Sequence, residues 1–223
     1  MTTLLQAIEL TTSHNPVGTV IWMHGLGADG NDFVPVVKEL GLPESLPIRF
    51  IFPHAPMRPV TINAGQVMRA WYDIIEISSA ERKVDEAGIR ESQHAIEALI
   101  EREIARGVPA TRIVLAGFSQ GGAIALQTGL RYNQGLAGIL ALSTYLPLAA
   151  SLAAEASSAN RSIPLFMAHG EQDTVIPISI AESSVKELRR NGYKVDWREY
   201  PMAHSVSMGE ITDIGAWLKQ RFE

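Results

Sequence analysis

The sequence predicts an α/β protein with a mostly parallel sheet covered by helices on both faces. Three observations carry this. Short apolar runs of β character alternate with longer segments of helical periodicity, the order that builds parallel sheets through crossover helices. The strongest runs, Ile113-Val114-Leu115-Ala116 and Gly138-Ile139-Leu140-Ala141-Leu142, are apolar at consecutive rather than alternate positions, as in strands buried on both faces. Finally, 223 residues with 46% hydrophobic and 19% charged side chains supply an ample core, and no linker, repeat or composition break divides them. The chain therefore reads as one domain over 1–223.

The elements follow in order. Residues 20–23 form a buried strand that breaks into the glycine-rich loop His24-Gly25-Leu26-Gly27. Phe33, Val36, Val37 and Leu40 have helical spacing, so a helix is expected over 31–40, ended by Gly41. Residues 49–52 are the next strand. Prolines 53, 56 and 59 then exclude a long helix early in 53–84. That stretch reads as an excursion over the domain, with an edge hairpin at 60–63 and an apolar patch at 71–75. A helix over 85–106 buries Ile89, Ile96, Leu99 and Ile100 and stops at Gly107 and Pro109. Beyond it come a strand at 112–116, a helix at 120–132, a strand at 138–142 and an Ala/Ser-rich helix or loop at 148–160. A strand at 164–168, a helix at 178–191, a strand at 195–200 and an amphipathic helix at 210–222 complete the chain.

Composition removes whole classes of chemistry. There is no cysteine, hence no disulfide scaffold, thiolate zinc site, iron–sulfur cluster or thiol nucleophile. A net charge of −5 argues against a nucleic-acid partner, which needs a basic face. The N-terminus lacks a basic segment leading into an apolar one, and the longest apolar stretches, such as 136–142, are too short to span a bilayer. A cytoplasmic location is the expectation. The six histidines are scattered without ligand spacing, so no metal is expected. The early glycine loop lacks the lysine of a phosphate-binding loop and the spacing of a dinucleotide fingerprint, so no nucleotide cofactor is expected either.

What remains is nucleophilic chemistry. Gly117-Phe118-Ser119-Gln120-Gly121 is a Gly-x-Ser-x-Gly match placed between a continuous apolar strand and a helix. In that context it is a nucleophile elbow, which forces the serine into a strained turn and needs small neighbours. A serine hydroxyl requires a base. His94 lies in a helix, His14 in a loop far from a strand end, His54 in the proline-rich loop as a hydrogen-bonding residue, and His169 too near the acidic candidates to be a separate partner. His204 follows the last strand and completes the chain order Ser, acid, His. Of the acids between, Glu171 and Asp173 sit in a loop directly after a buried strand, and Asp173 is the one expected to turn back toward the sheet edge. An oxyanion would find donors in the backbone N–H groups of Gln120, which follows the nucleophile, and of Leu26 in the early loop. His24 is expected to brace that loop rather than react.

Taken together, His24-Gly25-Leu26-Gly27-Ala28-Asp29, Pro53-His54-Ala55-Pro56, Pro59-Val60-Thr61-Ile62-Asn63, Ala70-Trp71-Tyr72-Asp73, Gly117 to Gly122, Ala141 to Pro147, His169-Gly170 with Asp173, and Ala203-His204 span nearly the whole chain. In this order they resemble the small carboxylesterase and acyl-protein thioesterase (phospholipase/carboxylesterase) family of the α/β-hydrolase fold. The resemblance implies Ser119, Asp173 and His204 as a catalytic triad and Leu26 and Gln120 as the oxyanion hole. It implies no large cap domain, no cofactor, and an acyl pocket built from the excursion, with Trp71, Ile74 and Ile75 as candidates and Val175 beside the acid. The substrate it implies is a small acyl ester or thioester of short to medium chain. The alternatives are acyl-protein thioesterase or lysophospholipase activity. Family members often pair, so a homodimer is admitted. The rival class is a non-catalytic ligand-binding protein on the same fold.

Overall fold

The computed structural model describes residues 4–75 and 85–223. The part of the excursion at 76–84 and the first three residues lie outside the described residues. The strands are β1 (Ala7–Thr11), β2 (Gly18–Met23), β3 (Ile48–Pro53), β4 (Met57–Val60), β5 (Gln66–Arg69), β6 (Ile113–Phe118), β7 (Gly138–Leu142), β8 (Leu165–Gly170) and β9 (Val195–Tyr200). The helices are α1 (Val36–Glu39), α2 (Glu86–Ala105), α3 (Gln120–Arg131), α4 (Leu152–Glu155), α5 (Ile178–Arg190) and α6 (Met208–Phe222).

Seven strands form one sheet in the order β1-β3-β2-β6-β7-β8-β9. Six run parallel; β1 pairs antiparallel with β3 at the edge, Ala7 opposite Pro53 and Thr11 opposite Arg49. Both faces are covered, and strand alternation divides the core between them. Ile113, Leu115 and Ile139 face one apolar cluster with Leu99 of α2, Ile124 of α3 and Leu188 of α5. Val114, Ala116 and Leu140 face the other, with Val37 of α1 and Trp217 of α6. This two-sided burial is why the strand sequences are apolar at every position.

Three elements depart from the sequence reading. β1 had no counterpart in it: none of its five edge residues is fully buried, and only Ala7, Ile8 and Leu10 pack against the core. The helix expected over 31–40 is a run of tight turns leading into the four-residue α1. Pro35 lacks the N–H that a continuous helix would use and disfavours helical backbone at Val34. Phe33, Val37 and Leu40 are nonetheless buried. The edge hairpin is wider than 60–63: β4 and β5 pair antiparallel around a tip at Thr61–Asn63.

The chain leaves β2 for β3 on one side and later returns to β6 on the other. The order therefore reverses between β2 and β6, and in open α/β sheets the crevice for ligands opens beyond the carboxyl ends of the strands at such a point. The loops after β2 and β6 carry Leu26 and Ser119.

Candidate active site

Ser119 occupies the single position between β6 and α3, at φ 55° and ψ −120°, a backbone conformation that costs a non-glycine residue of order 1–3 kcal/mol. Its surroundings hold it there. Its N–H donates to Leu142 O at 2.8 Å, and Thr144 Oγ1 donates to its carbonyl at 2.6 Å. The flanking glycines are obligatory: a Cβ on Gly117 would meet the Gly121 carbonyl at 2.3 Å, and one on Gly121 the Met23 carbonyl at the same distance.

His204 Nε2 lies 3.0 Å from Ser119 Oγ, and His204 Nδ1 lies 2.6 Å from Asp173 Oδ2. An ionised carboxylate only accepts, so Nδ1 carries the proton and Nε2 faces the hydroxyl as acceptor. The other oxygen of Asp173 accepts from the N–H groups of Val175 (2.9 Å) and Ile176 (2.8 Å), which fix the carboxylate. Its side chain is fully buried while the rival Glu171 points to solvent. The loops carrying Asp173 and His204 come from adjacent strands and are zipped together: Glu171 N–H donates to Tyr200 O, and Gln172 N–H to Met202 O. Gly170 permits this approach, since a Cβ there would meet Met202 O at 2.3 Å.

Leu26 and Gln120 line the same cavity as Ser119, each with a backbone N–H to offer. Neither N–H has a protein acceptor among the described residues. His24 orients the first. Its Nε2 accepts from Ala55 N–H (3.1 Å), so the proton is on Nδ1, which donates to Gly25 O at 2.7 Å. Burial lowers the His24 pKa and keeps the ring in this neutral form. The Gly25 carbonyl and the Leu26 N–H share one planar peptide, so holding the oxygen on one side aims the N–H to the other. His54 is a loop brace as well, accepting from Gly30 N–H at 3.1 Å.

A cavity of about 350 Å³ adjoins these groups and is lined by Gly25, Leu26, Ser119, Gln120 and His204. Its apolar wall includes Ile62, Tyr72, Ile74, Phe118, Tyr145 and Val175. Of the four acyl-pocket candidates, Ile74 and Val175 line this cavity. Trp71 and Ile75 do not: Trp71 is wholly buried behind the wall, its indole turned to His24, and Ile75 faces solvent outside the cavity. Ile62, Phe118, Tyr72 and Tyr145 were not among the acyl-pocket candidates, although all four lie within the quoted motifs; the hydroxyls of the two tyrosines are 2.7 Å apart. Asp32 also touches the cavity, with its carboxyl pushed up by partial burial and by the charge of Asp29. Among the described residues no group of three or more His, Asp or Glu side chains is placed to hold a metal ion, and no helix is long and apolar enough to cross a membrane.

A parallel sheet covered on both faces, with a strained serine at the central strand-to-helix turn, defines an α/β hydrolase. The comparisons with known proteins narrow this. The model of the phospholipase/carboxylesterase family matches residues 7–221. An acyl-protein thioesterase 1 of Yarrowia lipolytica is 37% identical over 223 residues, covering 97% of each chain. That of Neurospora crassa is 43% identical, covering 91% of this chain and 86% of its own. Among solved structures, the Zea mays acyl-protein thioesterase 2 superposes with a TM-score of 0.86 at 27% identity, over 98% of this chain and 99% of its own. The chain belongs to the phospholipase/carboxylesterase family and is a hydrolase of the esterase and thioesterase class.

Proposed function

We propose that the protein hydrolyses acyl esters or thioesters through an acyl-enzyme on Ser119, with His204 as base and Asp173 as its orienting acid. The observation that carries this reading is the unbroken relay from Ser119 Oγ through His204 to Asp173, at 3.0 and 2.6 Å. His204 Nε2 takes the hydroxyl proton as Oγ attacks the acyl carbonyl carbon. The carbonyl electron pair moves to oxygen, where the N–H groups of Leu26 and Gln120 receive the charge. Each such donor is worth about 2.7–4 kcal/mol in comparable sites. Collapse breaks the ester or thioester bond, and the leaving alcohol or thiol takes the proton from His204. Water then attacks the acyl-enzyme with His204 again as base, releasing the acid and restoring Ser119. Each step uses only groups of the chain and water.

The apolar wall of the cavity supports a short to medium acyl chain. The names of the relatives support an acylated protein as one source of it, and Ile62 and Val175, both lining the cavity and largely exposed, offer an apolar mouth for a chain presented from a larger substrate. The test is hydrolysis of p-nitrophenyl esters and matching thioesters of graded chain length by the wild type and by Ser119→Ala. The wild type should turn over and label stoichiometrically with a fluorophosphonate. Ser119→Ala should lose at least about a thousandfold in kcat and all labelling. Equal rates in both proteins would overturn the reading.

A further inference from the structure

Trp71 touches both of the loops that bear the oxyanion donors. Its indole Nε1–H donates to His24 O at 2.9 Å, fixing the peptide plane directly before the one that carries Leu26 N–H. Its backbone N–H donates to Gln120 Oε1 at 2.8 Å, and Gln120 Nε2–H donates in turn to Tyr72 O at 2.7 Å. The Gln120 side chain is therefore clamped on the Trp71–Tyr72 backbone, while the residue itself lines the cavity. Ser92 of α2 donates to the Trp71 carbonyl and anchors the strap from behind. The residue is 0% exposed, packs its ring 5.4 Å from the His24 ring, and takes no part in the cavity wall.

We propose that Trp71, acting with the Gln120 side chain, is a positioning residue for the oxyanion hole, holding its two donors at a fixed separation. The proposal rests on the serine-hydrolase reading above. A pair of backbone donors stabilises developing charge only if both are aimed beforehand at where the oxygen will be. The loops bearing Leu26 and Gln120 follow different strands, and Trp71 binds both. Loss of the indole N–H would leave His24 O without that donor and free its peptide plane to rotate, so the cost should fall on the transition state and spare substrate binding.

The experiment uses Trp71→Phe, which keeps an aromatic ring and loses the N–H. A second variant, Gln120→Met, keeps the backbone donor and loses the clamp. Each is compared with wild type for kcat and KM on a p-nitrophenyl ester, for its acyl-chain profile, and for inhibition by an acyl trifluoromethyl ketone, whose serine adduct carries an oxyanion. Both variants should lose about tenfold or more in kcat with KM within about twofold, and the ketone should weaken in step with kcat/KM. The chain-length profile should be unchanged. A shifted chain-length optimum with kcat retained would make Trp71 a pocket residue and overturn the proposal, as would wild-type kinetics in both variants. Should Trp71→Phe fail to fold, as read from its melting transition, Gln120→Met decides alone. Failure of the parent reading is distinct: there the wild type itself would show no Ser119-dependent turnover.

Discussion

The two halves of the site are held by opposite means. On the acid–base side the two loops bond directly to each other, and the grips on the carboxylate itself are local. Asp173 is fixed by the N–H groups two and three residues on, and His169 closes the same turn by donating to Ile176 O, seven residues away. On the nucleophile side the grips reach far along the chain. Trp71 ties itself to His24 and Gln120 across 47 and 49 residues, and Ala55 N–H reaches His24 across 31. The difference follows from topology. The acid and base loops leave neighbouring strands β8 and β9 and need only each other. The Leu26 loop, proposed to hold one oxyanion donor, and the serine turn flank the reversal between β2 and β6, and Trp71 of the excursion after β3 bonds to both sides.

The sharpest way to break this comparison is at the acid. Asp173→Asn keeps the shape of the turn but presents His204 Nδ1 with an amide, favouring the wrong tautomer for a base. A loss of about 10⁴ in kcat with little change in KM is expected, against at least tenfold for the bridging Trp71. Steady-state kinetics and the rate of fluorophosphonate labelling measure both. A loss for Asp173→Asn no larger than that for Trp71→Phe would show that the local grip contributes no more than the distant one.

The same contrast explains what could be read from the sequence. Ser119 between its glycines, and Asp173 in a loop directly after an apolar strand, are written in short motifs whose physics is local: steric room at a turn, a carboxylate at a strand end. The continuous apolar runs of β6 and β7 likewise report burial on both faces directly. The family resemblance offers Trp71 as an acyl-pocket residue, and an aromatic residue in a binding excursion gives the same signal whether its ring lines a cavity or lies behind one. Only the direction of its indole N–H, set by a partner 47 residues away, separates the two. Strand β1 escaped for a related reason: its pairing with β3 is across 40 or so intervening residues, and its own five residues alternate too briefly to declare a strand. The helix expected over 31–40 failed at Pro35, where apolar spacing outweighed a local veto that was visible in the sequence.

A second test separates the stability of the acid–base side from its chemistry. Glu210 lies in the first turn of α6, just beyond His204, where it completes a capping box with Ser207. It is fully buried, one of its oxygens has no partner among the described residues, and burial pushes its pKa up from an ordinary 4.5 to about 7. Below pH 4.5 both folded and unfolded chains hold the proton. Between 4.5 and 7 the unfolded chain releases it first, so stability falls as pH rises and the loss is complete above about 7. The shift corresponds to about 3 kcal/mol. Glu210→Gln keeps an acceptor for the Ser207 N–H and cannot ionise. Its melting temperature should match wild type near pH 4.5 and exceed it at pH 8; parallel melting curves across that range would refute the assignment.

The smallest effect is expected at His169. Its Nε2–H donates to Ile176 O at 2.7 Å and lies 3.3 Å from Asp173 Oδ2, the oxygen that His204 uses. Burial lowers its pKa, which disfavours a charged ring that would compete with His204 for Asp173. Its work is to add a further hold at Ile176, on a turn whose Val175 and Ile176 N–H groups already bond Asp173 Oδ1. Because that grip is redundant and local, losing it should shift the carboxylate slightly rather than release it. His169→Phe should lower kcat about threefold, lower the melting temperature through the orphaned Ile176 carbonyl, and leave KM unchanged. His169→Gln, which can offer a donor at a similar reach, should recover most of the activity. If Phe and Gln behave alike, the hydrogen bond is irrelevant and only the buried ring matters. If His169→Phe falls as far as Asp173→Asn, the acid–base side is not redundantly held, and its contrast with the bridged nucleophile side disappears.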